Sequence, residues 1–432
     1  MIALPHECFF IILNNLRTNY NSLFSCLLVN RKWCRFIIPI LWSEPTNYFD
    51  DKRLIRIYLL SLNYEEKTLL IPFNILFPNY PKPLFDYTSY TKTVGFRLKN
   101  GIKNWLRYEG CKLDKSCDSN IIYDYYYRRD ENELVNAIKC SLIGMFLRTS
   151  KKLKHLSFNR TICNKIMLKN LYRNSNITSI DFYVYKFDSV AIDLLVEILY
   201  QCTALDSLDL SYNQLDSIKW NAIVEAFSKN FTLTSLDISN NRLGSEGIES
   251  LAMALSMNIN LISLNIGSNK IGSKGIEALT YALYKNTTLT SLSLSFNELD
   301  FKSGKTLAEA LCINTTLTFL DVCGNKVGFE GVKALAIALC KNVSLTSLNL
   351  SRNEIDDEGG KALAEAFYKN NALTSLDLSC NLLEFEGGKA LVEALYKNAT
   401  LNSLNLRNNM LSSKDQNKLK KIVNTTQISI VW

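Results

Sequence analysis

From Leu205 onward the hydrophobic positions fall on a fixed grid. Leu205, Leu208, Leu210, Asn213 and Leu215 are followed 28 residues later by Leu233, Leu236, Ile238, Asn241 and Leu243. The same five slots return from Leu261, Leu289, Leu317, Leu345, Leu373 and Leu401 without one insertion. Within a repeat the first half alternates. Leu236 and Ile238 are apolar while Ser235, Asp237 and Ser239 are polar, the period of a half-buried strand. The second half changes period: Ile248, Leu251, Ala252 and Leu255 stand at i, i+3, i+4 and i+7, which predicts a helix with one buried face. Glycines recur near the helix start (Gly247, Gly275, Gly331, Gly359, Gly387), and alanines such as Ala254 and Ala338 let it lie close to the strands. The Asn213–Asn409 column falls where the chain leaves each strand, and its amides are expected to satisfy buried loop backbone. A second column, Asn258 to Asn398, follows the helices, where a left-handed cap is expected.

The pattern LxxLxLxxNxL at this period resembles the leucine-rich repeat, and a full helix in 28 residues resembles its ribonuclease-inhibitor subtype. The resemblance implies an α/β solenoid over 151–432, a horseshoe with parallel strands inside and helices outside. Eight regular repeats start at 205, and degenerate capping units start at Leu153 and Ile177. The concave face of such an array suits a protein target. Its first outward column is serine except at Phe319. The next column carries Asp209, Asp237, Asp321 and Asp377 among Asn and Ser, with Tyr212, Phe296, Arg352 and Arg407 nearby. The expectation is that Phe319, Phe296 and Arg352 anchor a target and that Tyr212, Arg407 and the four aspartates add to the surface. Repeat drift is the alternative.

The first forty-five residues read as short amphipathic helices punctuated by Pro5, Asn19–Asn21 and Pro39. They carry more apolar side chains than so small a unit can bury, and a leftover patch marks a partner surface. Packing on the following region is the alternative. Leu4-Pro5-His6-Glu7, then Ile12, Leu16, Val29, Arg31, Trp33, Leu41 and Trp42, resemble an F-box. The resemblance implies a small all-α domain over 1–45 that binds a Skp-type adaptor and, through it, a cullin-RING ligase. Leu4 and Pro5 would start the docking face. Ile12, Leu16, Val29, Trp33, Leu41 and Trp42 would supply or support the contact. Residues 46–150 read as a helical and irregular linker, helical over Leu54–Leu62 and Asn132–Leu147. A tyrosine-rich run, Tyr123 to Tyr127, reads as packing or linker rather than as a nucleic-acid platform.

Composition narrows the chemistry. With 432 residues, 47% of them apolar, the chain is no disordered tail. The longest early apolar run, Cys8–Leu13, is too short to cross a membrane. Of the net charge of +8, residues 1–200 carry 28 Lys/Arg against 18 Asp/Glu, too scattered for a nucleic-acid stripe. Twelve cysteines without a CxxC pair read as free thiols of a cytoplasmic or nuclear protein, with Cys312 and Cys340 as buried fillers. Only His6 and His155 are present, so no catalytic triad, metal centre or cofactor is expected. Ser303-Gly304-Lys305-Thr306 lacks the leading glycine of a phosphate loop, with Leu299 in its place. The order F-box then leucine-rich array resembles the non-catalytic substrate receptors of cullin-RING ubiquitin ligases. A free-standing scaffold or inhibitor and a GTPase-activator-like regulator are the rivals.

Overall fold

The structure, a computed structural model, describes residues 6–16, 19–43, 45, 50–75, 83, 85–95, 97–111, 133–159, 170–183, 187–423 and 429–432. The chain packs as two units, Met1–Tyr185 with Gln201–Leu205, and Lys186–Tyr200 with Asp206–Trp432.

The first unit opens with three helices, α1 (His6–Asn15), α2 (Tyr20–Leu27) and α3 (Arg31–Leu41). Asn19 and Asn30 cap α2 and α3 by accepting from Ser22 N–H and Trp33 N–H. Leu13, Leu23, Ile37 and Ile40 form the buried centre of this trio. Next come α4 (Lys52–Leu60), α5 (Tyr64–Thr68), α6 (Leu98–Tyr108) and α7 (Glu133–Thr149). Three parallel strands, β1 (Thr93–Val94), β2 (His155–Asn159) and β3 (Ser179–Tyr183), pair in that order, so both degenerate repeats do form strands. The sequence expectations on Leu4, Pro5 and Tyr123–Tyr127 lie outside the described residues.

The second unit is the regular array. Its strands are β4 (Ser207–Asp209), β5 (Ser235–Asp237), β6 (Ser263–Asn265), β7 (Ser291–Ser293), β8 (Phe319–Asp321), β9 (Ser347–Asn349), β10 (Ser375–Asp377), β11 (Ser403–Asn405) and β12 (Ser429–Val431). All are parallel and each pairs with the next, Leu208 opposite Leu236 opposite Leu264. The last strand, β12, lies beyond the eight-slot grid and covers the edge that β11 would otherwise expose. Helices α8 (Ser189–Gln201), α9 (Ser217–Lys229), α10 (Gly244–Met257), α11 (Gly272–Lys285) and α12 (Phe301–Ile313) alternate with the strands. So do α13 (Gly328–Leu339), α14 (Asp357–Phe367), α15 (Phe385–Leu395) and α16 (Ser413–Val423).

The first asparagine column does what its position demands. Asn325 Nδ2 donates to the carbonyls of Leu294, Val322 and Cys323, and its Oδ1 accepts from the N–H groups of Asn297 and Leu299. The second column corrects the expectation of a left-handed cap. Asn258 is extended (φ −78°, ψ 123°) and buried. The column forms a ladder of its own. Asn286 Nδ2 donates to the carbonyls of Leu255 and Asn258, while its Oδ1 accepts from Thr288 N–H and Leu289 N–H. One amide thus ties a helix end to the previous repeat and shapes the turn into the next strand.

The Ser303–Thr306 segment is the first turn of α12, with Asp300 accepting from both the N–H and Oγ of Ser303. Gly304 is there for close packing, since a Cβ would come within 2.9 Å of Gly331 Cα on the next helix. Hydrogen bonds from the backbone N–H of Lys219 and of Ser303 hold Asp216 and Asp300 below the ordinary carboxylate range. A depressed folded-state pKa contributes stability above the unfolded value of 3.8 that is lost as pH falls through the folded one. The melting temperature should therefore drop less between pH 5 and pH 3 in an Asp216→Asn/Asp300→Asn variant than in the parent, as followed by circular dichroism.

Candidate interaction surfaces

The outward strand positions of the array present the expected target-binding residues, but with two different jobs. Asp209, Asp237, Asp321 and Asp377 each turn Oδ1 back to the N–H two residues on, in Ser211, Ser239, Cys323 and Ser379. Asp237 and Asp377 also accept from the side chains of Asn265 and Asn405 one repeat along, and Asp321 accepts from Ser293 Oγ. Their recurrence is explained by the turn that ends each strand, a structural duty the expectation of target binding had overlooked. Phe319, in contrast, is 38% exposed at the start of β8. Phe296, 51% exposed, sits in the loop after β7 with φ 54°. Its ring lies over the backbone of Gly324, where a Cβ would come within 2.4 Å of the ring. Tyr212 and Arg352 occupy the same left-handed loop position in their own repeats, and Arg352 and Arg407 are exposed. Phe319 opens its strand while Phe296 and Arg352 follow theirs, so the three lie in two rows rather than one cluster.

The helical trio of the first unit leaves a good deal uncovered. Ile11, Ile12, Phe24, Leu28 and Val29 are exposed, from 50% at Ile12 to 71% at Leu28. Leu16, Trp33 and Leu41 are partly buried against the Leu13 centre, so they support the trio from within. Trp42 departs from the expectation of a docking contact. Its ring stacks on Tyr87 at 4.3 Å and meets the edge of Tyr58, fastening the trio to the chain that follows. Among the described residues expected to face an adaptor, Ile12 and Val29 are open to a partner.

A third group went unnoticed in the sequence. His155 Nδ1 is 3.1 Å from Ser179 Oγ, and its Nε2 is 3.2 Å from both Ser157 Oγ and Asp181 Oδ2. These are outward positions of β2 and β3, paired His155 to Ser179 and Ser157 to Asp181. The signal was the 24-residue spacing of two degenerate repeats in strand register. Acyl transfer would also need N–H donors at the serine, yet Thr178 N–H and Ser179 N–H are both spent on the Lys154 carbonyl. The arrangement is a hydrogen-bonded polar face that fixes the imidazole.

The Leucine Rich repeat family pattern matches residues 229–252, 258–279, 285–308, 314–336, 341–364 and 369–392. Residues 229–392 are leucine-rich repeats. No curated protein matches the chain. Among solved structures, it is similar to the actin-binding site 2 of leiomodin-1, at 25% identity over 32% of this chain and 80% of that one, with a TM-score of 0.27. The internalin InlF of Listeria monocytogenes is 16% identical over 71% and 84% of the two chains, with a TM-score of 0.40. The TLR13 of a complex with ssRNA13 is 19% identical over 66% and 36%, with a TM-score of 0.41.

The leucine-rich repeats settle two smaller points. Asn230, Asn286, Asn314, Asn342 and Asn398 each head an Asn-x-Ser/Thr triplet, but their amides are buried ladder members, so a glycan there would dismantle the ladder. Cys312 is exposed and Cys340 half-buried, which corrects the reading of both as buried fillers. Burial pushes the Cys202 thiol of the first unit up to about 11, so it stays protonated at neutral pH.

Proposed function

We propose that this chain is the non-catalytic substrate receptor of a Skp–cullin–F-box type ubiquitin ligase, working in the cytoplasm or nucleus. The helical trio docks a Skp-type adaptor, and the strand face of the repeats holds a protein target. Catalysis is geometric: a target held on the array meets a ubiquitin-loaded enzyme at high effective concentration. The observation that carries the reading is the trio itself, in which Leu13, Leu23, Ile37 and Ile40 are buried while Ile11, Ile12, Phe24, Leu28 and Val29 stay in water. Exposed Phe319 and Phe296 on the array support a protein ligand.

The test is capture of a purified Skp-type adaptor by the full-length chain. Ile12→Asp/Val29→Asp should weaken capture by about tenfold or more, because a charge is buried where an apolar anchor was. Both side chains are exposed, so the fold should survive. Failure of the parent chain to bind adaptor, or equal binding by the variant, would overturn the ligase reading in favour of a free-standing scaffold.

A further inference from the structure

The two layers of the array end differently at β12. Gly304, Gly360 and Gly388 stand where each helix meets the repeat that follows. A Cβ on Gly388 would come within 3.2 Å of Leu411 and of Leu419 on α16. That column ends in Gln416. A second column facing the next helix holds Thr280, Ala308, Ala336, Ala364 and Val392, at most 5% exposed. Thr280 Oγ1 reaches the Thr306 carbonyl on α12, one helix on. This column ends in Lys420, which is exposed. The helix layer is thus finished for water by a polar side of α16.

The strand layer is not. Among the described residues no strand lies beyond β12. Ser429 N–H donates to the Asn402 carbonyl, and the Val431 carbonyl accepts from Leu406 N–H, so these two residues turn their backbone to β11. Alternate residues of a parallel strand face opposite edges, which leaves the N–H and C=O of Ile430 on the open one. The side chains are apolar as well. Leu376 and Leu404 are 1% and 0% exposed, while Ile430, next in their column, is only half-buried. Val431 stands where Asp377 and Asn405 stand in the preceding strands. No proline or charged residue within β12 blunts the edge. The charge beside it has one sign: α16 carries Lys414, Lys418, Lys420 and Lys421 against Asp415. Asp415 pairs with Lys418 at 3.6 Å, whereas Lys420 Nζ stands 5.9 Å over the ring of Trp432, directly after β12.

We propose that the open edge of β12 takes an extended segment of another polypeptide as a further parallel strand, with acidic residues at its C-terminal end. Main-chain hydrogen bonds to Ile430 repeat those between β11 and β12, and an apolar side chain of the segment covers Ile430. Running parallel to β12, the segment brings its last residues to Trp432, where a carboxylate meets Lys420. A second copy of this chain is a poor occupant, because its own α16 would set four more lysines against these. The inference uses neither the helical trio nor Phe319 and Phe296, so it holds whether or not the trio docks an adaptor.

Fluorescence anisotropy on the full-length chain tests it, with a labelled peptide of alternating valine and serine that ends in two glutamates and a counterpart that ends in two lysines. The glutamate peptide should bind about fivefold tighter at low salt. Lys420→Glu should reverse that preference and leave the melting temperature unchanged, since the side chain is exposed. Strand addition has a signature of its own. N-methylation of the amides on one edge of the glutamate peptide should weaken binding about tenfold, and methylation of the other edge should leave it unaltered. No binding of the glutamate peptide, an unreversed preference in the variant, or equal effects of the two methylation patterns would overturn the proposal. So would a dimer of the parent chain in analytical ultracentrifugation that Ile430→Pro disperses, which would give the edge to a second copy.

Discussion

Asn325→Leu should lower the stability of the array by about 4 kcal/mol. The substitution keeps the branched shape and heavy-atom count of the side chain but removes every polar contact of a residue that is 4% exposed. Asn297 N–H at 2.9 Å and Leu299 N–H at 3.0 Å lose their acceptor. The carbonyls of Leu294 and Val322 lose a donor at 3.1 and 2.7 Å. Each buried group left unpaired costs roughly 1–3 kcal/mol, and the two N–H groups have no second route to water. The effect should spread, because each repeat is stabilised by its neighbours and a weakened rung uncouples the stack on either side. Denaturant unfolding followed by circular dichroism measures it. Lys326→Ala, the exposed neighbour, should shift the curve by less than about 0.5 kcal/mol. A ladder variant no worse than this control would show that water or backbone adjustment replaces the amide.

Arg148→Met should destabilise the first unit by about 3 kcal/mol. Glu66 is 1% exposed, and the Arg148 guanidinium meets its carboxylate at 2.8 and 2.9 Å. The same carboxylate accepts from Asn63 N–H as the return half of a capping box on α5. Hydrogen bonding to Glu66 raises the guanidinium above its ordinary range, so Arg148 carries its charge into the pair. Removing one member of a buried pair strands the other charge, typically at a cost of about 3–5 kcal/mol. The lower end is expected because Arg148 keeps 35% of its side chain in solvent. Arg148→Met/Glu66→Met should recover part of the loss, since two apolar groups leave no charge behind while Asn63 N–H still loses its acceptor. A double variant as unstable as the single would place the cost in packing instead, and thermal melts of the three proteins decide it.

The repeat array was legible because its determinants are local and periodic. Leu236 and Ile238 point inward, Asn241 bonds within two or three residues and to the adjacent repeat, and period 28 places each group beside its own copy. The candidate surfaces were legible only in part. The Asp237 column looked like a binding face because its turn hydrogen bonds leave no trace in residue type. Trp42 looked like a docking residue until Tyr87 was found stacked on it from 45 positions away.

By itself the sequence determined the strand, the helix and the register of every regular repeat, for each is set by side chains close along the chain or repeated at fixed distance. Only the tertiary structure decided how His155 meets Ser179 and Asp181, and which apolar groups of the helical trio stay wet. Those pairings join segments whose approach depends on how intervening helices pack, and no period along the chain encodes that.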